Sequence, residues 1–146
     1  MKIKGKTIVN ADAAKIWKLL NDPTILARIT PGVSKLERIE GDKFTAISEV
    51  KIGPVKGKFE GEMELMDKEV EKGMKVVLDQ KSKIGNTVAT ISMEMKPTED
   101  GKTEIIYSGE AKMSGMLARM GQRIMGGVIS TLSKQFFSEL EKEIGN

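Results

Sequence analysis

The sequence predicts an α+β fold: a curved seven-stranded antiparallel sheet wrapped around a long C-terminal helix, with two short helices after the first strand. Three observations carry this. Apolar and polar residues alternate with a period of two through most of the chain, turn residues punctuate the alternation, and helical spacing takes over after Ser114-Gly115.

Residues 2–9 place Lys2, Lys4 and Lys6 on one face and Ile3, Gly5, Thr7 and Val9 on the other, giving a first strand. Asn10 or Asp12 caps a helix whose apolar face is Ile16, Trp17, Leu19 and Leu20. The indole of Trp17 belongs to the core, given the area it buries. Asp22-Pro23 is an N-cap followed by proline at the first helical position, and starts a short helix to about Arg28 that Thr30-Pro31-Gly32 ends.

Six strand-like runs follow at 33–39, 44–52, 55–66, 74–84, 88–95 and 103–112. Gly41-Asp42, Gly53-Pro54, Lys72-Gly73, Gly85-Asn86 and Glu99-Asp100-Gly101 separate them as hairpin turns of a continuous meander. Residues 116–144 then repeat Leu117, Met120, Ile124, Val128, Leu132, Phe136 and Leu140, a helix of roughly 43 Å with Gly126-Gly127 as the expected bend. One helix does not fill the concavity of a curved sheet, so internal space is expected beside it.

With 146 residues the chain is sized for a single domain, 1–146. No apolar stretch is long enough to span a bilayer and the N-terminus lacks a secretory signal pattern, which predicts a cytoplasmic protein. Cysteine and histidine are absent, which removes thiolate nucleophiles, the commonest general base and the usual zinc and haem ligands. No catalytic residue, metal or cofactor is therefore expected. The 24 basic and 21 acidic residues are mixed along the chain, which gives no concentrated footprint for nucleic acid. GPVKGKF lacks P-loop spacing, and Glu60, Glu62 and Glu64 lie at alternate positions on a solvated strand face, next to lysines.

The candidate site starts from the run 55–65, whose inner face reads Val55, Gly57, Phe59, Gly61, Met63 and Leu65. Two glycines on an apolar strand face mark either a bend or close contact within the fold, or a floor against which a bound molecule lies. Methionine is frequent at ten residues, and Met63, Met93, Met116 and Met120 fall on inferred inward positions. Thioethers adapt to irregular ligands and equally fill a plain core. Ala89, Ile91, Ile124 and Val128 complete the apolar lining, while Gln80 and Tyr107 offer donors to a carbonyl-bearing head group. Ser48, Ser82, Thr87, Gln122 and Arg123 are further polar candidates, Arg119 reads as solvated helix surface, and Pro31-Gly32 sits in a loop near the expected cavity mouth.

AAKIWKLLNDP at 13–23, TPGV at 30–33, IGPVKGKFEG at 52–61 and SGMLARMGQRI at 114–124 occur in order. On these motifs the chain resembles the carbon monoxide dehydrogenase G-subunit (CoxG) family, within the START and birch-pollen-allergen-like helix-grip superfamily. The resemblance implies a helix-grip fold with a cavity between sheet and long helix. It also implies non-catalytic binding of a hydrophobic small molecule, a quinone or other lipid, and association with carbon monoxide dehydrogenase or a related molybdenum hydroxylase. Peripheral contact with the inner face of the membrane belongs to the same expectation. Some members reach the membrane through a long C-terminal extension; with Asn146 soon after the helix, an anchor of that kind is not expected here. The alternatives are an assembly or membrane-recruitment module for that enzyme, and a cyclase- or hydrolase-type enzyme of the superfamily.

Overall fold

The computed structural model describes residues 1–145, in the order β1 (Lys2–Val9), α1 (Ala13–Leu20), α2 (Pro23–Ile29), β2 (Val33–Glu40), β3 (Lys43–Ile52), β4 (Val55–Glu69), β5 (Gly73–Lys81), β6 (Thr87–Pro97), β7 (Thr103–Met113), α3 (Gly115–Arg119) and α4 (Gly121–Ile144). The strands form one antiparallel sheet in the order β1-β7-β6-β5-β4-β3-β2. Every neighbour except the β1/β7 pair is also a neighbour in sequence, so hairpins build the sheet.

Local chemistry fixes the early helices as expected. Asp12 caps α1 by accepting from the Lys15 amide at 2.8 Å, and Asp22 caps α2 by accepting from Thr24 at 3.0 Å, with Pro23 opening the helix. Ile16, Leu20, Leu26 and Ile29 are buried, and Trp17 packs partly buried against the same core.

Three strands depart from their expected bounds. β5 stops at Lys81 instead of reaching Ile84, because the Ser82 hydroxyl turns the chain, accepting from the Ile84 amide at 3.2 Å and donating to the Gly85 carbonyl. β4 runs on to Glu69 past a bulge between Met66 and Glu69, and β6 extends to Pro97.

The C-terminal helix is the main correction. It is two helices, broken at Gly121 rather than bent at Gly126-Gly127. Gly121 has φ +85, a backbone that side-chain-bearing residues rarely adopt. The break resets the helical phase, so Met125 is buried in place of Ile124, and Val128 and Leu140 keep their inward positions. α4 has 24 residues and spans roughly 36 Å.

The C-terminal half of α4 is held firmly. Leu140 is fully buried among Ile16, Ile29, Phe44, Leu65 and Ile105, with Phe136, Phe137 and Ile144 packed around that cluster. Arg28 on α2 donates to both carboxylate oxygens of Glu143 at 2.9 and 3.1 Å, and Glu141 accepts from the Asn10 amide at 2.9 Å. The N-terminal half sits over a smaller cluster of Val55, Phe59, Leu117, Met125 and Val128.

Gly126 and Gly127 belong to this N-terminal half, and packing requires neither. A Cβ on Gly127 would meet nothing within 4 Å, and one on Gly126 only Met1 Cε at 3.6 Å. Each glycine lowers helix stability by about 1 kcal/mol relative to alanine. Gly127→Ala is therefore expected to stabilise the fold by roughly 0.5–1 kcal/mol, read as a rise in urea midpoint. Gly121→Ala should destabilise it, because its φ is positive.

Candidate functional site

Two grooves flank α4. The first lies between that helix and the end of β3, about 360 Å³ in volume, lined by Pro31, Gly32, Val50, Ile52, Leu132 and Gln135 with Glu49 and Lys51 at its side. That volume lies within the range of small-molecule sites. Val50, Ile52 and Leu132 also pack against the Val55, Phe59, Leu117, Met125 and Val128 cluster, so the apolar walls of the groove are backed by a methionine-containing interior. Met113 and Met120 pack there too.

The groove owes its position to three local features. Inner-face alternation along β3 brings Val50 and Ile52 to the side of the sheet that faces α4. The Pro31-Gly32 turn is pinned to the same strand by a hydrogen bond from the Glu49 amide to the Gly32 carbonyl at 2.9 Å. Gly32 has φ +74, and a Cβ there would collide with the Glu49 carbonyl oxygen. The loop near the expected mouth thus forms one wall of the groove.

The candidate residues read from the sequence divide among three clusters instead of lining one pocket. Phe59 and Val128 meet beneath the first groove, with Met120 packed beside them. Met63, Leu65, Met93 and Tyr107 belong to the larger core around Leu140. Ala89 and Ile91 form a third group with Ile3, Ala111 and again Tyr107. Met116 and Ile124 are 47% and 43% exposed and line no enclosed space. For Ile124 the cause is the phase shift at Gly121.

The two glycines of β4 separate as well. A Cβ on Gly57 would touch Ile84 Cδ1 at 3.1 Å, the end of a flexible side chain, so the position is open to small change. One on Gly61 would strike the backbone carbonyl of Asp79 on β5. Gly61 is required by close approach of neighbouring strands, the bend reading of the pattern.

Among the polar candidates, Gln80 is the one buried amide on the inner face, 9% exposed, and its Nε2 donates to the Glu62 carbonyl at 3.2 Å. The Tyr107 ring lies over Gly5 of the neighbouring strand and stacks on Phe137 with centroids 5.5 Å apart. Ser82 is spent on its turn, and Arg119, Gln122 and Arg123 are exposed. The groove residues absent from the sequence-based candidates are Glu49, Val50, Lys51, Ile52, Leu132 and Gln135. Alternation in β3 and the helical series both held that signal.

Electrostatic perturbation touches two surface groups. A hydrogen bond from Lys43 to Glu62 raises the lysine pKa, and the Thr98 hydroxyl beside Asp100 lowers that carboxyl. Among the described residues no group of three acidic, histidine or cysteine side chains is placed to hold a metal ion.

A seven-stranded antiparallel meander closed over a C-terminal helix, with a groove beside that helix, is a helix-grip domain. The family model of the carbon monoxide dehydrogenase G subunit (CoxG) matches residues 5–145, and the chain belongs to that family. A conserved protein from Geobacillus kaustophilus is 30% identical, with a TM-score of 0.96 over 99% of this chain and 95% of that one. An aromatase/cyclase from Streptomyces sp. R1128 shares the fold at 12% identity, with a TM-score of 0.73 over 98% and 92% of the two chains. A protein from Mycobacterium smegmatis shares it at 17% identity and a TM-score of 0.69, over 99% and 90%. Among curated proteins, none matches.

Proposed function

We propose that this protein is a non-catalytic carrier that takes a hydrophobic small molecule, a quinone or other lipid, into the groove between β3 and α4 and serves a carbon monoxide dehydrogenase or related molybdenum hydroxylase. The observation that carries the reading is the packing of the groove residues Val50, Ile52 and Leu132 on the Phe59, Met125 and Val128 cluster, beneath a helix half whose glycines no contact requires. A ligand that wedges between sheet and helix needs a helix that yields, and Gly121, Gly126 and Gly127 supply the yield. Gln80, buried on the inner face, has a second amide proton beyond the one it gives to the Glu62 carbonyl and is the assigned donor to a carbonyl head group. The link to the enzyme rests on family membership.

Loading from a membrane fits the surface next to the groove. Met116 and Ile124 stand exposed beside Arg119 and Arg123, in a stretch with no acidic residue from Ala111 to Leu140 except Glu139. Apolar tips flanked by arginines suit an anionic lipid surface. No helix among the described residues is long and apolar enough to cross a bilayer, so the contact would be peripheral. Ile124→Glu with Arg119→Glu should abolish co-sedimentation with vesicles containing phosphatidylglycerol while leaving the melting temperature within a few degrees.

Mass spectrometry of solvent extracts from gently purified protein tests the carrier itself. A bound quinone or lipid is expected, together with a shift in Trp17 emission or melting temperature on adding quinone analogues. At a hundredfold excess over Kd the stabilisation should reach about 2.7 kcal/mol. Repeated absence of any extracted lipid, with no response to quinones, would overturn the assignment.

A further inference from the structure

The second groove, on the opposite side of α4, has a volume of about 420 Å³ and a different chemistry. Its floor is the free edge of β1, which only β7 pairs, and the ring stack of Tyr107 on Phe137. α4 turns Ser130, Ser133, Lys134 and Ser138 toward it at spacings of three and four, and β1 contributes Lys6 and Thr7.

Neither Lys6 nor Lys134 forms an ion pair among the described residues. The carboxylate at the groove, Glu141, is already accepting from the Asn10 amide at 2.9 Å. The residues that border the groove include two exposed lysines and several hydroxyl side chains, beside an apolar floor. A carboxylate has two oxygens to place among these donors, whereas a phosphate monoester presents three charged or partly charged oxygens that accept from ammonium and hydroxyl together. The groove is far larger than one phosphate, and Val9 and the aromatic stack leave room for an apolar substituent.

We infer that the β1/α4 groove is a binding site for a phosphate monoester carried on an apolar group, separate from the β3/α4 groove. Lys6 and Lys134 supply the charge, Thr7, Ser130 and Ser133 the hydroxyl contacts, and the Tyr107/Phe137 stack the surface on which the apolar part rests.

A ¹H–¹⁵N NMR titration of the full chain with dihexanoyl phosphatidic acid, dihexanoyl phosphatidylcholine and inorganic phosphate tests this. Saturable shifts at amides 6–9 and 130–138 with phosphatidic acid are expected. Lys6→Gln with Lys134→Gln should weaken that affinity about tenfold or more, the loss of charge-assisted hydrogen bonds. Weaker binding of inorganic phosphate at the same amides supports the assignment, because the apolar group then contributes to affinity, whereas inorganic phosphate binding as tightly as phosphatidic acid would overturn it. Phosphatidylcholine binding as tightly as phosphatidic acid, unchanged affinity in the double variant, or no saturable shift with either phosphate probe would overturn it. Both lysines are exposed, so the variants keep the fold. Quinone-induced shifts at amides 50–52 and 132 report the other groove independently, so either site can fail alone.

Discussion

Gly61→Leu is expected to cost about 3 kcal/mol or more of folding stability, enough to unfold much of a domain whose total lies near 5–15 kcal/mol. The added Cβ meets the carbonyl of Asp79, a backbone atom fixed by the β4/β5 ladder on both sides of the contact. Neither strand can shift alone, because Gly61 also pairs with Ala46 and Gln80 with Thr87. Gly57→Ala should cost under about 1 kcal/mol, since only the Ile84 side chain must move. Urea unfolding of the two variants makes the comparison. Wild-type stability in Gly61→Leu would show that strand contact does not dictate this glycine.

Leu140→Ala should lower stability by about 3 kcal/mol. The residue is fully buried where α1, α2 and the sheet converge, and the surrounding side chains are too tightly tied to collapse into the void. Val128→Ala removes fewer atoms above the smaller cluster and should cost about half as much. The same contrast predicts native-state hydrogen exchange: amides in the first half of α4 should exchange through local opening well below the global barrier, while those around Leu140 wait for complete unfolding. Uniform protection along α4 would remove the argument for a yielding half-helix.

The meander is legible in the sequence because alternation and turn residues repeat it from Val33 to Met113, and each signal is local. The helix break is not, since Gly121, Gly126 and Gly127 look alike in sequence and only backbone geometry distinguishes the φ of +85 at Gly121. That single break moves Ile124 outward and Met125 inward. The lining divides for a related reason. Alternation assigns a residue to a face, but where along a strand 15 residues long the face meets a helix depends on how the helix crosses it. Phe59 and Leu65 share a face of β4 and lie in different clusters. Val50 and Ile52 carry the correct alternation, but they end the run that precedes the glycine-rich one, and the glycines draw attention past them.

The pairing of β1 with β7 bears on how the chain is made. Lys2–Val9 leaves the ribosome long before its hydrogen-bonding partner Thr103–Met113, and every other strand has been able to form its hairpin in the meantime. Through that interval it is an unpaired strand, and the charges at Lys2, Lys4 and Lys6 discourage other chains from adding to it. Closure of the sheet at this seam is the longest-range step of the topology and is expected to limit the folding rate. A circular permutant that begins at Asn10 and carries residues 1–9 behind Asn146 on a flexible linker brings the two strands closer in sequence, and should therefore fold faster at little cost in stability.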